Sequence, residues 1–327
     1  MENNIKKAII IGVVGQDGSF LAELLYSKKY EIHGVVKNDT DVRRIEWIKK
    51  IVPGIVIHNI DILNKSELEV LLKNIMPDEI YNFAAYSNVF NPWENLDSIL
   101  CLNSKLPQNI LDLITSVDKN IKYFQASSCL IFGKDTSGFQ NENTCSNPIH
   151  PYGISKLYAD NILKEFRENF GIYCCSGIFF NHESERRGMD FFSRKITSSI
   201  AKIKAGKLDK IKVGDLSSVR DFGYSPDFME AAYKMMQNRV PTDYCVGTGE
   251  IISMEEFVKK CFDYVELDYK KYIEVDYSMC RKKDSNVMRA NINKISSEID
   301  WRPKTTLDEM IKKMIDNDIN ILREGLK

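Results

Sequence analysis

No apolar stretch of the chain approaches the roughly 18 residues that a membrane-crossing helix needs. Only four histidines occur in 327 residues, and none sits at metal-ligand spacing, so no metal site is predicted. The eight cysteines include no C-x-x-C pair, and only Cys174 and Cys175 are adjacent. That pattern reads as reduced thiols, not as a disulfide framework or a zinc site. Lys and Arg total 45 against 46 for Asp and Glu, a net charge of −1. This gives no electrostatic footprint for nucleic acid or an anionic membrane. There is no internal repeat and no low-complexity segment. The opening residues Met1–Lys7 run straight into an apolar strand, which predicts a cytoplasmic protein without a signal peptide. The remainder is ordinary globular composition, 43% hydrophobic and 28% charged, long enough for one or two domains.

The first positive feature is at the N-terminus. Lys7–Ile11 (KAIII) is a short apolar run bounded by glycine, the pattern of a buried parallel strand. Gly12-x-x-Gly15-x-x-Gly18 follows, and then Phe20, Leu21, Leu24 and Leu25 at helical spacing, so a helix is expected to start near Ser19. Strand, glycine turn and helix form the context of a dinucleotide-binding fingerprint. Gly12 would permit the tight turn, Gly15 would let backbone approach a pyrophosphate, and the helix N-terminus would supply free N–H groups. The spacing carries one residue more between the first two glycines than the usual motif. After the second strand, Glu31–Val36, come Lys37 and Asn38, with Asp39 just beyond. An acid here favours NAD and a base suits the 2′-phosphate of NADP, so the balance leans to NADP.

Further strands are read at Ile55–Asn59, Glu79–Phe83, Ile121–Ala126 and Tyr173–Phe179, alternating with helices at Lys65–Asn74, Leu96–Thr115 and Tyr152 to about Phe170. Such alternation implies an α/β fold, a Rossmann-type doubly wound parallel sheet covered on both faces. Ligands bind such sheets at the carboxyl ends of the strands, which places Gly12, Asp61, Ala84, Ser127 and Asn181 on the ligand edge. Beyond about residue 180 the pattern loosens, with helices near Arg194–Ala205 and Asp227–Gln237. Residues 1–180 are therefore read as the dinucleotide-binding domain. Residues 181–327 are read as a smaller C-terminal α/β substrate domain, with some crossing of the chain between the two.

Tyr152-Gly-Ile-Ser-Lys156 places a phenol and an ammonium one helical turn apart on one face. A nearby ammonium favours the phenolate, so Lys156 is expected to lower the Tyr152 pKa and make it a general base or acid. Ser128, a hydroxyl at the end of the fifth strand, suits polarising a substrate oxygen beside that pair.

With these residues in view, the chain resembles the GDP-mannose 4,6-dehydratases of the extended short-chain dehydrogenase/reductase superfamily. The resemblance runs over nearly the whole length. It is carried by Gly12–Leu25, Glu79–Val89, Tyr123–Lys134, Pro151–Tyr158, Phe180–Gly188 (FNHESERRG), Arg220-Asp221-Phe222-Gly223 and Trp301-Arg302-Pro303. It implies hydride transfer from sugar C4 to the nicotinamide, water elimination across C5–C6 and hydride return at C6. Tyr152 would be the base, Lys156 would hold the cofactor ribose, and Ser128 would stand for the family threonine. Cofactor contacts are implied at Gly12, Gly15, Gln16, Asp17, Gly18, Lys37, Asp61, Ile62, Phe83, Ala84, Ala85, Tyr152, Lys156, His182 and Arg187. Substrate contacts are implied at Ser87, Asn181, Arg186, Lys195, Arg220, Arg281 and Asp284, the arginines suiting a nucleotide diphosphate. The resemblance also implies a GDP-linked sugar as substrate and a homo-oligomer, dimer or tetramer.

One departure bears on the chemistry. Two residues after its threonine the family has the glutamate that removes the C5 proton, and this sequence has Leu130 there. Leucine accepts no proton, and the nearest downstream acid is Asp135; Cys129, His182 and Glu183 are the other conceivable substitutes. General bases contribute about 10²–10⁴-fold, so elimination is expected to fail unless one of them acts. The expected function is therefore C4 chemistry (dehydrogenase, 4-keto reductase or 4-epimerase). The alternatives are a 4,6-dehydratase of a GDP-hexose or GDP-heptose with a relocated base, and a non-catalytic cofactor-binding protein. The segments Lys37–Arg44 and from there to Ile55 are shorter than in the family, and Ile149-His150 replace an arginine and a serine.

Overall fold

A computed structural model describes residues 5–87, 93–133, 138–276, 278 and 287–325. Asp135, Arg281 and Asp284 lie outside the described residues.

The N-terminal half alternates strand and helix as the sequence predicts. The strands are β1 (Lys7–Ile11), β2 (Glu31–Val36), β3 (Val56–Asn59), β4 (Glu79–Asn82), β5 (Lys122–Ala126) and β6 (Cys174–Phe179). The helices are α1 (Gln16–Ser27), α2 (Val42–Ile51), α3 (Lys65–Ile75), α4 (Leu96–Leu100), α5 (Leu106–Val117) and α6 (Pro151–Phe170). A π-helical turn, Cys101–Lys105, joins α4 to α5 in the stretch read as one long helix. The remainder comprises β7 (Asn181–Glu183), α7 (Phe192–Lys204), β8 (Ile211–Val213), β9 (Val219–Tyr224), α8 (Ser225–Gln237), β10 (Tyr244–Val246), β11 (Ile251–Ser253), α9 (Met254–Tyr264), β12 (Ile273–Val275), β13 (Val287–Met288), α10 (Asn293–Ile299) and α11 (Leu307–Arg323).

The large sheet has the order β10-β6-β5-β4-β1-β2-β3, and all its pairings are parallel. This is the doubly wound arrangement, and its inner strands are buried on both faces, hence their unbroken apolar runs. One face packs Ala8, Ile10, Phe124 and Cys175 against α1 and α8 through Leu21, Leu25, Phe228 and Met236. The other packs Ile9, Ile11, Ile80 and Tyr123 against α3 and α5 through Leu68, Leu72, Ile110 and Ile114. The boundary near residue 180 is crossed twice: β10 adds to the large sheet beside β6, and α8 covers its face. A four-stranded sheet (β7, β9, β11, β13) and a short β8–β12 pair make the smaller part, with α7, α9 and α11 over it. Among the described residues no helix is long and apolar enough to cross a membrane.

In the smaller part, Arg194 of α7 and Asp318 of α11 form an ion pair with both side chains 4% exposed. Breaking such a pair leaves an uncompensated buried charge. Arg194→Met should lower stability by about 3 kcal/mol, and adding Asp318→Leu should recover most of it. Thermal unfolding of the single and double variants checks this; equal midpoints for wild type and Arg194→Met would show that the pair carries no stability.

Candidate active site

The fingerprint is built by backbone proximity. Gly12 has φ +85°, and a Cβ there would sit 3.0 Å from the Ala84 nitrogen. A Cβ on Gly18 would overlap the Gly12 carbonyl. Only glycine fits either place. α1 starts at Gln16, three residues before the position read from the apolar spacing, because Phe20 and Leu21 mark its buried face and not its first turn. Gly15 is its N-cap, and no side chain caps the turn. The open N-terminus beside the β1 and β4 ends fits an anionic pyrophosphate, which Gly12, Gly15 and Gly18 would cradle.

The first turn of α1 is tied to the segment after β6. His182 Nε2 lies 3.0 Å from Asp17 Oδ2 and His182 Nδ1 lies 2.8 Å from the Phe180 carbonyl. Ser225 Oγ donates to Asp17 Oδ1 at 2.8 Å, and Ser184 Oγ donates to Gln16 Oε1 at 2.7 Å. Burial alone would raise the Asp17 pKa; His182 and Arg187 outweigh it and hold the carboxyl far below its usual range. Burial would likewise lower His182, and Asp17 outweighs it, so the imidazolium is favoured. Asp17 and His182, both implied as cofactor contacts, are thus each other's partners.

Three expected substrate residues are engaged elsewhere or fall on other elements. Arg186 pairs with Glu23 Oε2 at 2.7 Å and stacks over Phe20 and Trp47, at 3.8 and 5.0 Å from the ring centroids. Its guanidinium therefore clamps α1 to α2. Lys195 on α7 donates to the Lys212 carbonyl at 2.6 Å. Arg220 is buried on β9 and donates to the Val219 carbonyl at 2.8 Å, with its charge felt by Cys129. Asn181 opens β7, and Ser87 is exposed in the stretch after β4. Of the remaining expected cofactor contacts, Lys37 and Asp61 are exposed beyond β2 and β3, and Ile62 is buried. Phe83, Ala84 and Ala85 follow β4, where the Ala84 N–H donates to Asn82 Oδ1 at 3.1 Å.

Tyr152 and Lys156 share one face of α6, with Lys156 Nζ 5.7 Å from the Tyr152 ring centroid. The ammonium donates to the Ala126 carbonyl at 2.7 Å. Burial lowers Lys156 to about 8, against Asp160 and Asp17, which favour its charge. Burial also pushes Tyr152 up to about 12; Arg187 and a hydrogen bond with Ser128 pull the other way. This corrects the expectation that Lys156 acidifies Tyr152. The Lys156 charge is directed at Ala126, and the opposing charge on the phenol comes from Arg187. Arg187 stacks over Phe191 at 3.6 Å and faces Glu183 Oε2 at 3.2 Å as an ion pair. Ser128 caps a short 3₁₀ turn, Cys129–Ile131, accepting from the Leu130 N–H at 3.3 Å.

Three residues went unread in the sequence. Arg44 of α2 donates to the Val14 carbonyl at 2.8 Å, inside the fingerprint turn; the Arg43-Arg44 doublet was its signal. Asn103 lies in the π-helical turn and is buried. It accepts from the Tyr86 N–H at 2.9 Å and donates to Ser155 Oγ at 3.2 Å, joining the loop after β4 to α6. Asp160 stands one turn beyond Lys156. Nothing in the local pattern distinguishes Asn103 or Asp160 from solvated helix residues. Among the described residues no group of three or more His, Cys, Asp or Glu could hold a metal ion.

The model of the GDP-mannose 4,6 dehydratase family matches residues 9–314. The GDP-mannose 4,6 dehydratase of Drosophila melanogaster is 33% identical, covering 98% of this chain and 88% of that protein. GDP-mannose 4,6 dehydratase 2 of Arabidopsis thaliana is 35% identical, covering 97% and 88%. Among solved structures, dTDP-glucose 4,6-dehydratase from Bacillus anthracis in complex with NAD superposes with a TM-score of 0.85 at 21% identity, covering 98% of this chain and all of that one. RMD from Pseudomonas aeruginosa complexed with NADPH gives 0.81 at 18% identity, covering 96% and 99%. The chain belongs to the GDP-mannose 4,6 dehydratase family of enzymes, and its fold is that of the nucleotide-sugar dehydratases and epimerases.

The Asp17–His182 pair has a defined pH signature. A depressed Asp17 pKa contributes stability above the unfolded carboxyl value of about 4, lost as pH falls through the folded value. A raised His182 pKa contributes stability fully below about 6.5, lost as pH rises through the folded value. His182→Gln should therefore lower the unfolding temperature most between about pH 4 and 6.5, with the gap closing toward alkaline pH. A gap that stays constant from about pH 5 into the alkaline range, measured by thermal unfolding, would mean the imidazole acts by packing alone.

Proposed function

We propose that this member of the GDP-mannose 4,6 dehydratase family is a nicotinamide-dependent enzyme that oxidises or reduces C4 of a GDP-linked sugar. It would act as a C4 dehydrogenase, a 4-keto reductase or a 4-epimerase. The observation that carries this reading is Leu130, in the turn capped by Ser128, together with the state of the groups that could replace a carboxylate there. Cys129 is buried and its thiol is pushed up to about 12, chiefly by burial. His182 is held as a donor to Asp17. Glu183 is buried, accepts from Ser193 Oγ at 2.5 Å and faces Arg187. None of these three is free to take a carbon-bound proton.

The remaining residues suit C4 chemistry. Tyr152 Oη would exchange a proton with the C4 oxygen, donating it in the reducing direction that its raised pKa favours, and Ser128, bonded to it, would orient the same oxygen. Lys156 and Arg187 supply positive charge beside the phenol. A bound nicotinamide would supply the hydride acceptor. Gly12, Gly15 and Gly18 would hold its pyrophosphate. Arg44, bonded to the Val14 carbonyl, joins Lys37 as a base beyond β2 and favours NADP, since guanidinium suits a 2′-phosphate. Arg220 would meet the nucleotide diphosphate, and the names of the relatives point to GDP.

Those same names support a second reading, a GDP-mannose 4,6-dehydratase whose base lies elsewhere. The two separate in one experiment. The protein is incubated with GDP-mannose and other GDP-sugars and NADP or NAD in deuterated water, and products are read by mass spectrometry. Loss of water with deuterium at C5 would sink the C4 reading. Loss of two hydrogens, or unchanged mass with inverted C4, is the expected result. Tyr152→Phe should lower turnover by about 10²–10⁴-fold with cofactor affinity nearly unchanged.

A further inference from the structure

α6 carries a third ionisable side chain on the Tyr152–Lys156 face: Asp160, four residues beyond Lys156. Both its oxygens are claimed by hydroxyls. Ser127 Oγ donates to Oδ2 at 2.6 Å, and Ser176 Oγ donates to Oδ1 at 2.5 Å. Ser127 is itself fixed, its N–H donating to the Gly177 carbonyl at 2.8 Å. Two adjacent residues therefore receive the two charges: Ala126 accepts from the Lys156 ammonium, and Ser127 donates to the Asp160 carboxylate. Ser128 follows immediately.

The charges packed around Asp160 single out Lys156 as its counter-ion. From α6, Arg167 is committed to Asp243, with Nη1 and Nη2 at 2.9 and 2.7 Å from its carboxylate. Asp243, ahead of β10, also accepts the Ser176 N–H at 2.7 Å. From α10, Lys294 donates to the Asp243 carbonyl at 3.0 Å. Glu142 accepts the Cys245 N–H at 2.7 Å, and the Cys245 thiol of β10 is buried and raised. Among the described residues, Lys156, one helical turn back on α6, is the cation whose charge acts on Asp160. A carboxylate whose oxygens both accept from hydroxyls prefers its ionised form, whereas burial opposes it. Burial pushes Asp160 to about 7, with Asp243 adding to the rise and Ser127, Ser176 and Lys156 opposing it.

We propose that Asp160 is a positioning residue of the active site: ionised, it keeps Lys156 an ammonium and, through Ser127, holds the turn that presents Ser128. This rests on reading Tyr152, Lys156 and Ser128 as the site, and not on which carbon of the sugar reacts. Burial raises Asp160 and lowers Lys156, and each charge favours the other, so the two ionisations are coupled.

The test follows the Lys156 side chain itself. The protein is labelled with [13C]lysine, and the Cε resonance of Lys156 is assigned by its absence in Lys156→Arg. Its titration midpoint is then read in wild type and in Asp160→Asn. Removing the anion should lower the midpoint by about one pH unit or more. An unchanged midpoint would overturn the proposal. Ser127→Ala and Ser176→Ala each remove a bond to the ionised carboxylate, so they should raise the pH at which Asp160 protonates. That step appears as a shift of the acid limb in the same resonance, and it keeps the idea testable where Asp160→Asn does not fold. NADH and NADPH affinities across the same pH range give the functional readout. Asp160→Asn should bind more weakly above about pH 7, where its Lys156 has lost the proton, while the wild type holds to about pH 8. Wild type that binds neither cofactor at any pH would sink the cofactor reading, and the Lys156 midpoint would still decide the role of Asp160.

Discussion

The buried pair of Asp17 and His182 is the constraint on which the rest of the site depends. An anion in the first turn of a helix is already stabilised by the free N–H groups there. In this fold that anion also reaches a side chain 165 residues away, on the strand that leaves the large sheet. Gln16 with Ser184, and Arg186 with Glu23, repeat the same link on either side. The fingerprint turn and the segment after β6 are consequently joined by three side-chain links. Any ligand lying on the turn also meets residues 181–187. A substitution in that segment therefore acts on the dinucleotide half as well, so its effects cannot be assigned to sugar contact alone.

Burial sets the proton inventory of the site more than any single neighbour does. It raises Tyr152 and Cys129, lowers Lys156 and raises Asp160, in each case as the leading cause. The specific partners then decide how far each group departs. For Tyr152 those partners are Arg187 and Ser128; for Lys156 they are Asp160 and Asp17. The i, i+4 spacing on α6 describes which side chains share a face, but the face is lined by strand ends. Lys156 finds a carbonyl at 2.7 Å before it finds the phenol. Helix spacing alone therefore does not give the direction of the Tyr152 shift, which burial raises.

The doubly wound sheet was legible because buried parallel strands leave continuous apolar runs and because glycines at Gly12 and Gly18 have a steric cause. The family was legible for a related reason: its motifs sit on strand ends, where backbone geometry allows few residues. What escaped was long-range polar pairing. Asp17 with His182, Asn103 with Tyr86 and Ser155, and Arg44 with Val14 join residues 30 or more positions apart, apart from the near contact of Asn103 with Tyr86. No local period encodes such pairs. The early start of α1 escaped for a different reason, since hydrophobic spacing reports the buried stripe and not the cap. The packing of Arg186 escaped too, because an arginine beside a ligand edge reads as a phosphate contact. Its apolar surroundings, Phe20 and Trp47, come from two other helices.

In the proposed reading, the chain keeps the family's fold and cofactor side while its chemistry stops at C4. The features that establish membership, the glycine turn, the α6 face and the 180–188 segment, hold the cofactor side and the C4 side of the site in the proposed reading. Elimination needs one further thing, a base at the carbon beyond C4, and that requirement falls on a single short turn. A leucine there changes nothing in the fold: Leu130 packs on the cluster of Cys129, Ile131, Phe132 and Phe180. An apolar side chain at this position is accommodated by the cluster around it. Among the described residues, two of the groups around it are already engaged: His182 with Asp17, and Glu183 with Ser193 and Arg187. Releasing either would leave a buried charge without its partner, an outcome that costs several kcal/mol. In the proposed reading, the same network thus restricts which of these residues could act as a base.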